Sequence, residues 1–169
     1  MHKPLLKKLL WICAGMFAFS FALVPLYSVL CKVTGINGKT SSVAAVASTQ
    51  VDAQRQVTVE FLALVDQSIP WQFSPMTERV TVEPGKTTDI DFRVENLSAE
   101  AMIGQAVPSV SPGEAAQYLK KIECFCFTQQ PLGAHESKLM HLRFYVDPAL
   151  PKEMQTFTLS YTLYRAKNE

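Results

Sequence analysis

Hydrophobic residues follow two different patterns along this chain, and the change between them divides the sequence in two. Residues Leu9 to Cys31 contain no charged side chain. At about 1.5 Å per residue, a helix of this length covers roughly 30 Å, the thickness of the hydrocarbon core of a bilayer. From about residue 55 apolar and polar residues alternate instead, which is typical of half-buried β-strands. We therefore expect a transmembrane helix followed by a β domain.

The alternating stretches are short and closely spaced. About seven of them fit into some 115 residues, separated by turn residues such as Pro84-Gly85, and no long amphipathic helix follows residue 50. The chain is therefore predicted to be all-β: an immunoglobulin-like antiparallel β-sandwich preceded by a single N-terminal transmembrane helix. The alternating apolar positions are Val57, Val59, Phe61, Ala63, Val80, Val82, Ile90, Phe92, Val94, Leu142, Phe144, Val146, Phe157, Leu159, Tyr161 and Leu163.

The apolar run is interpreted as an uncleaved anchor, with a cleaved signal peptide as the alternative. It is longer than the about 7 to 15 residues of a signal-peptide core, and the most obvious cleavage motif, Ala45-Val46-Ala47, lies far beyond its end. Lys3, Lys7 and Lys8 precede the run, and such clusters stay in the cytoplasm. We expect a single-pass protein of the bacterial inner membrane with a periplasmic C-terminal domain.

Four segments follow from these patterns. Residues 1–8 form the cytoplasmic N-terminus, 9–31 the transmembrane anchor, 32–52 a periplasmic linker and 53–169 the β-sandwich domain. The linker is predicted because residues 40–50 are small, uncharged and without periodicity.

Charge and composition exclude several classes of function. The 16 basic and 15 acidic residues give a net charge of +1, so no nucleic-acid partner is indicated. Of the three histidines, His2 is expected in the cytoplasm, His135 on a loop and His141 on a solvated strand face. The sequence contains no hydrolase constellation and no glycine-rich phosphate loop. We therefore do not expect an enzyme.

The most distinctive chemistry is carried by Cys124 and Cys126. In an extended strand they point to one face, while Phe125 and Phe127 point to the other. If the two phenylalanines fill the core, both cysteines must face outward as accessible thiols. Paired soft thiolates suit Cu(I), although zinc binding and a redox role remain open on softness alone.

Two other states of the Cys124/Cys126 pair remain open. A Cys124–Cys126 disulfide is conceivable, but residues i and i+2 of an extended strand lie near the outer limit of the separation that a disulfide allows. Alternatively, both cysteines pack in the core.

Cys13 falls inside the apolar run and is expected to face lipid or a neighbouring helix. Cys31 lies at the outer boundary of the run, where it is either idle or a ligand.

Several motifs together resemble a known family. They span nearly the whole chain: Val24-Pro25-Leu26-Tyr27 with Cys31, Trp71-Gln72-Phe73-Ser74-Pro75, Gly104-Gln105-Ala106-Val107-Pro108, Glu123-Cys124-Phe125-Cys126-Phe127, Gln129-Gln130-Pro131-Leu132 and Phe144-Tyr145-Val146-Asp147-Pro148. The sequence is thereby similar to the CtaG family of cytochrome c oxidase assembly proteins, the copper-delivery proteins of bacterial and mitochondrial inner membranes. One departure is that His141 and Leu142 follow Met140 where the family usually has Met-Pro-Val.

The resemblance implies a Cu(I)-binding metallochaperone that delivers copper to the Cu(B) centre of oxidase subunit I. By position, Cys124 and Cys126 match the copper-binding pair of the family. Cys31 matches its juxtamembrane cysteine, needed for copper transfer or for keeping the site reduced. The implied partners are oxidase subunit I, an unidentified copper donor and the inner membrane.

The mechanism that fits the residues and the resemblance is thiolate ligand exchange. Because two thiols leave copper under-coordinated, a homodimer that shares copper between two Cys124/Cys126 pairs is our hypothesis for the loaded state. The alternatives are a thiol–disulfide reductant that uses the same cysteines and a copper-independent scaffold for oxidase assembly.

Overall fold

The computed structural model describes residues 3–34 and 44–166, which belong to two compact units, Met1–Asn37 and Gly38–Glu169. The first unit contains helix α1 (Lys3–Thr34). Its segment Lys3–Cys31, 29 residues, is long and apolar enough to cross a membrane. Large apolar side chains such as Trp11 and Phe21 are exposed on it. The predicted N-terminal apolar helix is confirmed.

The second unit is a two-sheet β domain, which confirms the predicted β-sandwich. Its described strands are β1 (Val57–Val65), β2 (Trp71–Pro75), β3 (Arg79–Val82), β4 (Thr88–Asn96), β5 (Met102–Ser111), β6 (Leu119–Cys124), β7 (Gln130–Leu132), β8 (Ser137–Val146) and β9 (Thr156–Arg165). Short 3₁₀ helices, Gly113–Gln117 and Phe125–Phe127, flank β6. One sheet has the order β3-β1-β9-β5-β7 and the other β2-β4-β8-β6.

One strand pair departs from the antiparallel prediction. Strands β1 and β9 run parallel, with Val59 opposite Phe157, whereas the other described strand pairs are antiparallel. No hairpin constrains the direction of this pair, because its strands come from opposite ends of the domain. As a result β9 is the middle strand of the five-stranded sheet, and its Tyr161 lies in the core, 0% exposed.

The core lies between the sheets and is rich in aromatic rings. Phe92 on β4 contacts Phe61 on β1 and Tyr161 on β9 in edge-to-face geometry, with ring centroids 6.0 and 5.3 Å apart. The alternating positions predicted from the sequence are buried, except Ala63 and Val80, which are half-buried. At one end of the core the ring of Trp71 lies against Gly104, where an added Cβ would stand 2.5 Å from Trp71 Cζ3.

The segment that precedes β1 is hydrogen-bonded to the surface of the sandwich. The Ala45 amide donates to the Lys121 carbonyl oxygen over 2.7 Å, and the Tyr145 hydroxyl donates to the Val46 carbonyl oxygen over 3.0 Å. The part of the predicted linker from residue 44 onward is therefore held against β6 and β8. Residues 35–43 lie outside the described residues.

Candidate metal centre

The cysteine pair lies where strand β6 ends, and a bulge determines which way it faces. Lys121 pairs with Phe144 of β8 and Glu123 pairs with the adjacent Arg143, so Ile122 is an extra residue in β6. Beyond the bulge the alternation is shifted by one residue. Glu123 consequently points outward, and Cys124 points into the core.

The prediction that both thiols face outward is therefore wrong for Cys124, which is only 6% exposed. Cys126 is half-buried. The prediction that Phe125 fills the core is confirmed, because its ring packs 4.7 Å from that of Tyr161 and 5.2 Å from that of Phe92. Phe127 is half-buried against the edge of the core.

The two sulfurs are joined as a disulfide, the state that the sequence analysis left open. The expected obstacle was the length of an extended i to i+2 step, about 6.6 Å at 3.3 Å per residue. The chain leaves the strand conformation at Cys124 and turns into a 3₁₀ helix, which brings the two Cα atoms to 5.1 Å. The prediction of a continuous strand through Phe127 is wrong for this reason.

Two glutamine side chains from other strands hold this turn. Gln105 on β5 donates from Nε2 to the carbonyl oxygen of Cys126 over 3.0 Å. Gln130 on β7 donates from Nε2 to the carbonyl oxygen of Phe125 over 3.1 Å. The sequence analysis quoted both glutamines within family-like motifs and gave them no role. Their structural role is to satisfy carbonyl groups that the strand ladder no longer pairs.

Each sulfur also receives a hydrogen bond from its own side-chain donor. The Tyr161 hydroxyl lies 3.2 Å from Cys124 Sγ, and it is the donor because a disulfide sulfur carries no proton. The Lys121 ammonium donates to Cys126 Sγ over 3.5 Å and lies 5.3 Å from the centroid of the Phe127 ring. The backbone amide of Cys126 adds a third bond, to Cys124 Sγ, at 3.2 Å.

Both donors are buried. Lys121 is 3% exposed, and desolvation lowers its pKa to about 8. Burial raises the pKa of Tyr161 above its usual range, so this phenol stays protonated and able to donate. The sequence analysis missed Lys121; its signal was its position two residues after Leu119, on the inward face of β6.

Among the described residues, the structure finds no group of three or more His, Cys, Asp or Glu side chains placed to hold a metal ion. A structural zinc site needs four such ligands. Once reduced, the pair offers two soft sulfurs, a ligand type that binds both Cu(I) and zinc.

Cys31, the third predicted ligand, lies in the last turn of α1 as a free, half-buried thiol. It belongs to the helical unit, whereas Cys124 and Cys126 belong to the sandwich. Cys13 is an exposed free cysteine of the same helix.

His141, the histidine that departs from the family pattern, pairs with two aspartates. His141 is exposed on the outer face of β8, as predicted, with Nδ1 2.6 Å from Asp91 Oδ1 and Nε2 3.4 Å from Asp89 Oδ1. The hydrogen bond to Asp91, followed by its charge, raises the pKa of His141. Arg143 in turn lies 2.7 Å from Asp89 and lowers the pKa of that carboxyl.

Comparison with known proteins agrees with these motifs. A family model described as cytochrome c oxidase assembly protein CtaG/Cox11 matches residues 23–165. This stretch includes Cys31 and the entire sandwich up to the end of β9.

Three bacterial proteins, each named cytochrome c oxidase assembly protein CtaG, illustrate the similarity. The one from Rhizobium etli is 43% identical over 155 residues, which cover 89% of this chain and 76% of the relative. The one from Rhodopseudomonas palustris is 41% identical, covering 93% of this chain and 77% of the relative. The one from Ehrlichia ruminantium is 35% identical, with 94% and 92% covered.

Proposed function

The chain belongs to the CtaG/Cox11 family of cytochrome c oxidase assembly proteins, and on this premise we propose that it carries Cu(I) on Cys124 and Cys126 to the Cu(B) site of oxidase subunit I. The observation that carries the proposal is the sulfur pair itself. It has one buried and one half-buried sulfur, each with its own hydrogen-bond donor.

The disulfide must be opened before the pair can bind copper. A dithiol reductant supplies two electrons and two protons, becomes a disulfide itself and leaves two thiols on the protein. Binding of Cu(I) then releases both protons and gives a bis-thiolate complex with one net negative charge. Cys126 is the more exposed sulfur, so we propose that it meets the reductant and the copper donor first.

The proposed location follows from the lysines and the apolar helix. Lys3, Lys7 and Lys8 stand at the N-terminal end of α1, which supports the proposal of a cytoplasmic N-terminus and a periplasmic sandwich. A bacterial inner membrane is the membrane that fits this arrangement and the proposed recipient. Cys31 then lies near the outer surface of the membrane, as a transient copper ligand or as the thiol that keeps the pair reduced.

A Cu(I) titration against a competing chelator tests the proposal. The full chain is used, in detergent, after reduction and removal of the reductant. We expect tight binding that is lost in Cys124→Ser and in Cys126→Ser. It should be retained in the matched control Cys13→Ser, which removes an exposed cysteine of α1. Weak binding by the unsubstituted protein would overturn the proposed copper role.

The disulfide is also the observation that favours a second candidate, a thiol–disulfide reductant of the assembly pathway. This candidate predicts rapid disulfide exchange with a partner and no tight Cu(I) binding. A copper-independent scaffold, by contrast, predicts that the double substitution of Cys124 and Cys126 by serine still supports oxidase assembly. Assembly assays in cells that carry only this double variant separate the scaffold from both thiol-dependent functions.

A further inference from the structure

The two outer faces of the sandwich differ in charge. The outer face of the four-stranded sheet carries many charged groups, most of them in ion pairs: Asp89, Asp91, Arg93, Glu95, Glu123, His141 and Arg143. On the five-stranded sheet, by contrast, the described residues include a stretch of outer face that is three strands wide and bears no charged side chain. This stretch is called the neutral face below.

The neutral face consists of side chains that point away from the core on the three middle strands of the sheet. They are Leu62 and Leu64 of β1, Ser160, Thr162 and Tyr164 of β9, and Gln105, Val107 and Ser109 of β5. Leu64, Thr162 and Val107 lie side by side in one row across the strands. Leu62 and Leu64 are each 53% exposed and Val107 is 45% exposed. Neighbouring exposed apolar side chains with a polar rim mark interaction sites.

The neutral face adjoins the turn that carries Cys126. Gln105 belongs to the face, and its Nε2 donates to the carbonyl oxygen of Cys126 over 3.0 Å. Val107 lies two residues further along β5, on the same side of the sheet. Cys126 itself is half-buried. A partner seated on the neutral face would therefore lie next to the more exposed of the two sulfurs.

We propose that the neutral face is the surface on which a second copy of this chain docks, so that the two Cys126 turns come together. This inference rests on the proposed function, because the shared copper site requires two Cys124/Cys126 pairs from two chains. Thiolates that bind the same copper must lie close together, so the protein surfaces beside Cys126 must touch.

The lack of charge favours a second copy as the occupant. A two-fold interface uses the same patch on both chains and brings each residue close to its equivalents. On the neutral face this arrangement creates no contact between like charges and removes no ionised group from water. The outer face of the four-stranded sheet would instead bury groups such as Asp91 and Arg143.

The area of the neutral face explains why copper is needed as well. Three strands about 4.8 Å apart and five residues of about 3.4 Å each give roughly 250 Å². A standard interface buries about 800 Å² per partner, so this face alone should hold two copies only weakly. Bonds from copper to thiolates of both chains add to it. The dimer should therefore depend on the face and on the metal together.

The first test introduces a positive charge into the face. Leu64→Lys and Val107→Lys are compared in the full, copper-loaded chain in detergent, and native mass spectrometry of a dilution series gives the dissociation constant of the dimer. The control is Leu139→Lys, which changes a 59% exposed leucine on the outer face of β8. Because α1 is the same in all variants, differences between them report on the sandwich.

We expect Leu64→Lys and Val107→Lys each to raise the dissociation constant at least about 30-fold, because a two-fold interface brings the two new ammonium groups together. Leu139→Lys should stay within about twofold of the unsubstituted protein. Circular dichroism identifies the folded variants, and Leu62→Lys replaces a variant that does not fold. An intact dimer in the folded variants would overturn the inference.

The second test identifies what covers the face. A photo-cross-linking amino acid replaces Val107 in copper-loaded chains, which are placed in vesicles of phosphatidylethanolamine and phosphatidylglycerol. Mixing isotope-labelled with unlabelled chains shows which adducts join two copies. We expect residue 107 to cross-link to a sandwich peptide of the second copy and the same probe at residue 139 not to do so. A lipid adduct at residue 107 in place of the peptide would assign the face to the membrane and overturn the inference.

Failure of this inference and failure of the proposed function give different results. If Cu(I) binds tightly but the loaded chain stays monomeric, or dimerises regardless of Leu64→Lys and Val107→Lys, the copper role stands and the inference falls. If Cu(I) binding is weak but metal-free chains at high concentration cross-link to each other through residue 107, the inference stands and the copper role falls.

Discussion

The side-chain amide of Gln130 donates a hydrogen bond to the carbonyl oxygen of Phe125, 3.1 Å away, in the interior of the domain. The same amide group also donates to Thr128, and the Gln130 carbonyl oxygen accepts from Lys138 over 3.2 Å. One glutamine therefore holds the turn between the two cysteines at the positions where its backbone leaves the sheet.

Gln130→Met should destabilise the domain by about 1–3 kcal/mol, because it leaves the buried Phe125 carbonyl without this donor. Chemical denaturation followed by circular dichroism of the β signal measures the change. The exposed neighbour offers the control, since Gln129→Met should alter stability by less than about 0.5 kcal/mol. Equal effects of the two substitutions would contradict the assigned role.

Gly104→Ala should also destabilise the domain, by about 1–3 kcal/mol, because the new methyl group would collide with the buried indole ring of Trp71. Thermal unfolding is the measurement. Gly133→Ala is the matched control, because its nearest neighbour is the end of the flexible Glu136 side chain, 3.2 Å away. A destabilisation at residue 133 as large as that at residue 104 would rule out the collision as the cause.

The two thiols of the reduced protein should react with an alkylating reagent in a fixed order, Cys126 before Cys124. Cys126 is half-buried, whereas Cys124 is 6% exposed, and access limits the rate of alkylation. With limiting reagent, fragment ions of peptide 122–138 locate the first adduct. Equal modification of the two positions would show that Cys124 is more accessible in solution than in this structure.

His141 should make stability depend on pH. Its folded-state pKa is raised by Asp91 and Asp89, so its contribution is fully present below the unfolded pKa of about 6.5 and is lost as the pH rises through the folded value. Asp89 has a lowered pKa and contributes at all pH values above about 4, so it does not change in this window. Because the groups are exposed, the effect should be below about 1 kcal/mol.

Denaturant unfolding between about pH 5.5 and pH 8.5 measures this difference, a range that brackets the ordinary pKa of histidine. The decline should be smaller in His141→Gln. The control is His135→Asn, at an exposed turn residue with a φ of 55°, a conformation that asparagine also tolerates. An equally steep decline in His141→Gln would assign the pH dependence to another group.

Copper loading should convert the protein into a dimer, because four thiols from two chains complete the coordination that two thiols leave open. Native mass spectrometry of the detergent-solubilised, copper-loaded chain measures the stoichiometry. The dimer should be lost in Cys126→Ser and retained in Cys13→Ser. A monomer that holds one copper with its own two thiols would contradict the shared site.

The fold could be predicted because its signal is local. The alternation of Val57, Val59 and Phe61 predicts which face of β1 is buried, regardless of which strand pairs with β1. The parallel pairing of Val59 with Phe157 could not be predicted in the same way. The direction of a strand and the identity of its partner depend on contacts between opposite ends of the domain, and no local sequence pattern determines them.

The sequence predicted which two sulfurs lie side by side, but it did not predict the geometry around them. The Cys-x-Cys spacing drew attention to the two sulfurs that the structure joins, but the face of Cys124 depended on one extra residue at Ile122. A shift of one residue exchanges the faces of a strand. The bulge and the turn that follows are stabilised by Gln105 and Gln130, from strands that precede and follow the motif, and the motif itself contains no sign of either.

The parallel pairing of β1 with β9 also limits when the larger sheet can form during synthesis of the chain. Strand β9 is the last in the domain and the centre of its larger sheet, so β1 and β5 have no partner between them until residues 156–165 have been synthesised. Pairing of strands this distant in sequence carries a large loop-closure cost and slows folding. A nascent chain therefore presents Cys124 and Cys126 before Tyr161 exists to meet them. Strand β9 therefore supplies both the middle of the larger sheet and the hydroxyl group beside Cys124 Sγ.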